Sequence, residues 1–331
     1  MQKLSQFLIM ASLVLPSSAA AQSFGLFLNP IEERVIGTKV HQKRMAEEIA
    51  VYRNQRLASY IEEIGRQAAR KKARYPENFV FTLVDDSVFN AYASIGGYLY
   101  VQTGALVWLN DEAELAALMG HEVGHAVKRH SARKINRDNV SKGMLRLAAL
   151  RRRNPQELEA LQIKAALALK GFGREQEFES DQIGAEVLKD LGYDTYGAAR
   201  LAYQLHLRSL YVASLTGKDS DVPLAWSSHP PSMDRVRRNL DTAKRIGGGG
   251  DLPRHRDRYL SMIDGLKINL SIYGGPSVGT LRIHTVKPGE TAQSIAAKLP
   301  VKKPLEFLLA TNGLDAASEV KPGVKLKTFV R

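Results

Sequence analysis

Residues 121–125 read His-Glu-Val-Gly-His, and no other stretch limits so tightly what this chain can fold into. Successive residues of an α-helix turn by about 100°, so positions four apart return to nearly the same face. On a helix, His121 and His125 can address one metal ion, with Glu122 beside them to take a proton from a water molecule. Only a helix offers that chemistry, and the preceding residues supply one. Asp111 is a capping residue with Glu114 three positions on, the capping-box arrangement, and an apolar run leads into the histidines.

A catalytic zinc site takes three protein ligands and keeps a position open. The nearest third candidate is His130, nine residues after His121. In extended forms of the motif the third histidine comes ten residues after the first and follows a helix-breaking glycine, but here Lys128 holds the glycine position. On an unbroken helix His130 faces roughly away from the ion, which predicts a structural role. The downstream run GREQEFESDQIGAEVL offers a better set. Glu177, Asp181 and Gly184 share one face of a predicted helix at four- and three-residue spacing. Glu177 can supply a carboxylate ligand, Asp181 can accept the free ring N–H of a ligating histidine, and Gly184 would let two helices approach closely. Glu175 and Glu179 read as an ordinary acidic helix face.

The chain has no cysteine, which excludes disulfides, thiolate ligands and a cysteine nucleophile. With 44% hydrophobic and 24% charged residues, neither wholesale disorder nor a polytopic membrane protein is expected. Residues 1–21 carry one lysine, an apolar run and a small-residue Ala19-x-Ala21 end, the pattern of a secretory signal. Beyond it no uncharged apolar run of about 18 residues suggests a spanning helix in the mature chain. Removing the signal takes away only Lys3, lowering the net charge from +13 to +12. That balance suits anionic partners such as a membrane surface or a cell-wall polymer. The basic residues from Lys128 to Arg153 read as solvated helix faces, and no nucleic-acid-binding pattern accompanies them.

Periodicity predicts an amphipathic helix over 42–73, strands at 79–86 and 96–104, and helices at 138–152, 155–171, 174–191, 196–215 and 232–245. Gly247–Gly250 has a linker composition, and 281–331 reads as a βααβ module. The expected organisation is a signal at 1–21, a large α+β domain at 22–246, a connecting segment at 247–280 and the small module at 281–331.

HEVGH with EFESD downstream, NAYASIGGYLYVQTGAL at 90–106 and SSHPPSMDR at 227–235 together resemble the zinc metallopeptidase family that includes the CAAX prenyl protease, HtpX, the mitochondrial Oma proteases and the periplasmic β-barrel assembly-enhancing protease. The similarity covers roughly residues 45–245. It implies a mainly helical zincin-like domain with a small sheet, Zn2+ held by His121, His125 and Glu177, Glu122 as general base, and Asp181 orienting a ligand. It also implies that His229 approaches the metal from a loop, as a further ligand or a transition-state stabiliser. The strand around Gly96, Gly97, Tyr98 and Leu99 would border the cleft and pair with an extended peptide, although a plain hairpin turn explains the two glycines equally well. HTVKPGETAQSIAAKL, LATNGL and VKPGVKL resemble LysM, which implies peptidoglycan or chitin binding. The expectation is a zinc endopeptidase of the bacterial periplasm acting on unfolded or misassembled envelope proteins, with peptidoglycan and the outer-membrane assembly machinery as partners and no nucleic acid. Two alternatives stand beside it: a chaperone-like or wall-binding scaffold whose metal site is shut by His229, and a hydrolase of peptidoglycan peptides.

Overall fold

The computed structural model describes residues 28–136, 155–217, 229, 232–247 and 251–331, with the side chains of 155–172 left aside. The signal at 1–21, the helix at 138–152 and residues 248–250 of the glycine run lie outside the described residues.

The periodicity over 42–73 is shared between two helices rather than one, α1 (Pro30–Glu47) and α2 (Gln55–Lys72). The break has a local cause: the side chain of Asn54 accepts the Leu57 N–H at 3.1 Å and starts α2 afresh. It also has a long-range cause, because Val51 bridges Val84 and the Tyr52 N–H donates to the Leu83 carbonyl at 3.0 Å. The residues between the helices are thereby drawn against the sheet.

That sheet has three strands, β1 (Val80–Val84), β2 (Ala91–Ser94) and β3 (Tyr98–Gln102), in the order β1-β3-β2. β3 runs parallel to β1 and antiparallel to β2. A short α3 (Thr103–Trp108) leads to α4 (Glu112–Val127), which carries the HEVGH motif. α5 (Pro155–Leu191) is one continuous helix where two were expected, followed by α6 (Gly197–Thr216) and α7 (Met233–Arg245) close to their predicted bounds. α4 is buried from Glu112 to Gly124 and packs on α2, α5 and α6. It is therefore the centre of the domain, held on several sides.

The first turn of α4 shows how. The side chain of Asp111 accepts the Glu114 N–H at 2.8 Å, as predicted, while Glu114 reaches back to the Asn110 N–H rather than to that of Asp111. Buried Glu112 accepts from the hydroxyls of Tyr60 and Tyr193, each at 2.7 Å, and from Arg258 at 3.1 Å. Arg254 pairs with Asp111 at 2.6 Å. Three carboxylates thus sit at the positive end of the helix dipole, each hydrogen-bonded or ion-paired, which offsets the cost of burying them.

Arg254 and Arg258 come from the stretch expected to connect two domains, and that stretch is built into the structure. It contains α8 (Arg256–Ile263) and β4 (Lys267–Ile268), which pairs with β5 (Gly279–Thr285). β5 pairs in turn with β6 (Lys325–Val330), and between them lie α9 (Ala292–Ala296) and α10 (Pro304–Thr311), the expected βααβ order. One apolar core runs through both parts, with Trp108 edge-on to Tyr273 and Phe307. Fully buried Lys327 of β6 donates to the carbonyls of Val107 and Leu109 at 2.7 and 2.5 Å. Its side-chain nitrogen thus satisfies backbone carbonyls at the C-terminal end of α3.

Candidate metal centre

The phase of α4 brings the Nε2 atoms of His121 and His125 to 3.0 Å from each other. Glu177, reaching in from α5, places Oε2 3.4 Å from the Nε2 of His121 and Oε1 3.4 Å from the Nε2 of His125. His229 adds its Nδ1, 3.1 Å from His121 Nε2 and 3.0 Å from both Glu177 oxygens. One donor atom from each of the four residues lies within 4.8 Å of the others. Donors held about 2.0–2.2 Å from a tetrahedral ion stand about 3.3–3.6 Å apart, so two imidazoles and a carboxylate clustered at 3.0–3.4 Å are close to the spacing that suits a divalent metal. The expected trio is brought together, and His229 joins it.

Such proximity requires α4 and α5 to come unusually close. A Cβ on Gly184 would stand 2.9 Å from the Ala117 carbonyl oxygen, and one on Gly120 would stand 3.0 Å from the Cα of Gly184. The close approach expected at Gly184 is therefore present, with Gly120 as its counterpart. Gly184→Val is expected to push α5 off α4, carrying Glu177 away from the histidines. Overpacking of this kind costs about 1–3 kcal/mol. Thermal denaturation and metal content of the purified variant would check it, and a variant with unchanged melting temperature and full metal would refute it.

Charged partners stand close behind the donors. Asp181 sets Oδ1 2.9 Å from His121 Nδ1 and is itself gripped by Arg235 at 2.6 and 2.8 Å. Arg235 also reaches Glu177 at 3.1 Å, so one buried guanidinium ties Glu177 and Asp181 together. Sequence reasoning did not single out Arg235, although it ends the SSHPPSMDR segment. Glu122 is fully buried beside the donors, with Oε1 3.2 Å from His229 Nε2. Burial would raise its carboxyl, but His229, then His121 and His125, outweigh that and hold it down to about 2. The group is ionised and able to accept a proton.

Two expectations need correction. His130 does not face away from the donors, because α4 ends at Val127 and Arg129 takes a left-handed conformation, φ 55°, before helix resumes at His130. The Arg129 guanidinium pairs with Glu33 and donates to the Leu28 carbonyl, so tertiary contacts supply the break that no glycine supplies. His130 Nδ1 consequently lies 2.8 Å from His125 Nδ1. The second correction concerns peptide pairing. Tyr98 and Leu99 belong to the central strand, paired with Val80 and Phe81 on one side and Ser94 and Ala93 on the other, so their backbone is taken. Gly96 and Gly97 do line a groove with Arg34, Asn78, Ser94 and His125. The strand bordering the donors is β2, whose Ala91 carbonyl lies 3.1 Å from His229 Nε2.

Comparison with known proteins agrees with this geometry. Residues 53–243 match the model of peptidase family M48, and residues 284–328 match the LysM domain. The chain is similar to the beta-barrel assembly-enhancing protease of Escherichia coli K12, 29% identical over 147 residues, 42% of this chain and 30% of that protein. It is also similar to the mitochondrial metalloendopeptidase OMA1 of Arabidopsis thaliana, 36% identical over 113 residues, 34% of this chain and 22% of that one. Human OMA1 is 28% identical over 168 residues, 48% of this chain and 31% of its own length. The chain thus spans about a third or less of these relatives. The family implies a metal, and the clustered imidazole and carboxylate donors fit one. The four short segments all fall within the matched residues 53–243, more than half of the chain, and the chain belongs to peptidase family M48.

Proposed function

We propose that this protein is a zinc-dependent endopeptidase of the bacterial periplasm that cleaves unfolded or misassembled envelope proteins. The observation that carries the reading is the convergence of donor atoms of His121, His125 and Glu177 to 3.0–3.4 Å of one another, with the ionised Glu122 beside them. A zinc ion held by those three residues would polarise the scissile carbonyl and acidify the attacking water to a pKa of about 7. Glu122 accepts the proton of that water and passes it to the leaving amine. Asp181 and Arg235 keep His121 and Glu177 in place during the reaction. The β2 strand at the cleft suits an extended peptide backbone rather than a defined side chain, which favours unfolded substrates.

The envelope setting draws on the secretory pattern of residues 1–21 and on the names of the bacterial relatives. Among the described residues no helix is long and apolar enough to cross a membrane. Peptidoglycan, through the LysM domain, and the outer-membrane assembly machinery are the proposed partners.

The position of His229 favours a second reading. Its ring stands between Glu177, Glu122 and the Ala91 carbonyl, where water and substrate would enter. A site kept permanently in this state would belong to a chaperone-like scaffold. Incubating the protein with denatured casein and with purified sacculi, with and without chelator, separates these readings. Chelator-sensitive cleavage of casein is expected. Zinc binding without cleavage would favour the scaffold, and release of peptidoglycan peptides alone would favour a wall hydrolase.

A further inference from the structure

We infer that His130 and Glu179 form a two-residue relay that orients His125 for metal binding, as the counterpart of Asp181 behind His121. This inference rests on the assignment of His121, His125 and Glu177 as ligands. His125 Nδ1 is 2.8 Å from His130 Nδ1, and His130 Nε2 is 2.9 Å from Glu179 Oε2. Ser180 Oγ, 3.5 Å from His130 Nδ1, is at the limit of hydrogen-bond distance.

Two independent constraints fix the same direction for the protons. From the inner end, once His125 gives Nε2, 3.0 Å from His121 Nε2, to the metal, its proton must reside on Nδ1 and point at His130. From the outer end, a carboxylate can only accept, so Glu179 requires the proton of His130 on Nε2. His130 Nδ1 is then left as an acceptor, facing the Nδ1–H of His125. Neither end leaves a choice of tautomer, and the chain runs His125 to His130 to Glu179 without conflict. Partners of this kind set the ring orientation of a ligand and raise its basicity.

The relay also agrees with other features of this part of the fold. His130 is buried yet spends both ring nitrogens on polar groups, and Glu179 lies at the surface, two residues beyond the ligand Glu177. The backbone departs from helix at Arg129, just before His130. The two ligand histidines are thus held differently: His121 by a carboxylate neutralised by Arg235, His125 by a neutral ring backed by a carboxylate.

The test is zinc affinity, measured by competition with a chromophoric chelator on full-length protein, together with the melting temperature of the metal-free form. His130→Leu keeps bulk but removes the acceptor, and it is expected to weaken zinc binding about 10–100-fold. His130→Asn offers an amide oxygen near the place of Nδ1 and is expected to recover most of that loss. Glu179→Ala, which leaves His130 in place, is expected to cost several-fold. Metal-free melting temperatures should be alike for the Leu and Asn variants. Wild-type zinc affinity in His130→Leu, or equal loss in His130→Asn, would overturn the relay. Should His130→Leu fail to fold, the Asn and Glu179→Ala variants decide, and wild-type affinity in Glu179→Ala would overturn it. His125→Ala is the control: if it keeps its zinc, the ligand assignment itself falls and the relay with it.

Discussion

Glu122→Gln is expected to keep its full complement of metal and to lose about 10²–10⁴-fold in kcat, the usual contribution of a positioned general base. The substitution is nearly isosteric, which matters because Glu122 is fully buried against His229 and the helix core. The amide can occupy the same space but cannot accept a proton at neutral pH. Metal retention is expected because the donor atoms come from His121, His125 and Glu177, none of which is altered. Substrate affinity should change little, since the proposed role of Glu122 is on the water and the leaving amine rather than on peptide binding. Kinetics on an unfolded fluorogenic protein, paired with metal analysis of the same sample, would check both halves. Undiminished kcat in a metal-replete variant would remove Glu122 from the mechanism, whereas loss of the metal would show that the carboxylate helps to hold the site together.

The parts of this site that were legible in the sequence are those confined to one helix. His121, Glu122 and His125 follow from helical phase and from the cap at Asp111, and Glu177, Asp181 and Gly184 follow from spacing on the second helix. Residues whose roles depend on contacts distant in sequence were not legible. Arg235 is a single arginine on a helix rich in them, and nothing local distinguishes it from Arg237 or Arg238. His130 was placed on the wrong face because an unbroken helix was assumed. The break at Arg129 is fixed by Glu33, 96 positions away in α1. The availability of the Tyr98–Leu99 backbone was not legible for a similar reason. Alternation identifies β3 as a strand but carries no information about strand order, and the parallel pairing with β1 that puts Tyr98 and Leu99 in the middle is a long-range event.

A chain ended at residue 280, lacking the LysM domain, is expected to be insoluble or to unfold tens of degrees below the full protein. The reason is that the module completes the peptidase core rather than hanging from it. Trp108, Tyr211 and Tyr273 pack their rings against Phe307, and Phe329 packs against it with its ring tilted. Aromatic side chains bury about 150–250 Å² each, so re-exposing half the surface of three of them costs about 6–9 kcal/mol at about 25 cal/mol per Å². That is comparable to the whole stability of a typical domain, about 5–15 kcal/mol. Polar losses act in the same direction. Without Lys327 the carbonyls of Val107 and Leu109 lose their donor, and they lie directly before the cap of α4. Tyr211 would lose the Lys302 carbonyl, and Arg256, which joins Asn110 to Lys325, would keep only one of its two acceptors. The helix bearing His121 and His125 would therefore be loosened at its N-terminal end. Calorimetry of the full protein should accordingly show one cooperative transition. Two separate transitions, or a soluble truncated chain with undiminished peptidase activity, would mean that the module is a tether and that the shared core contributes little.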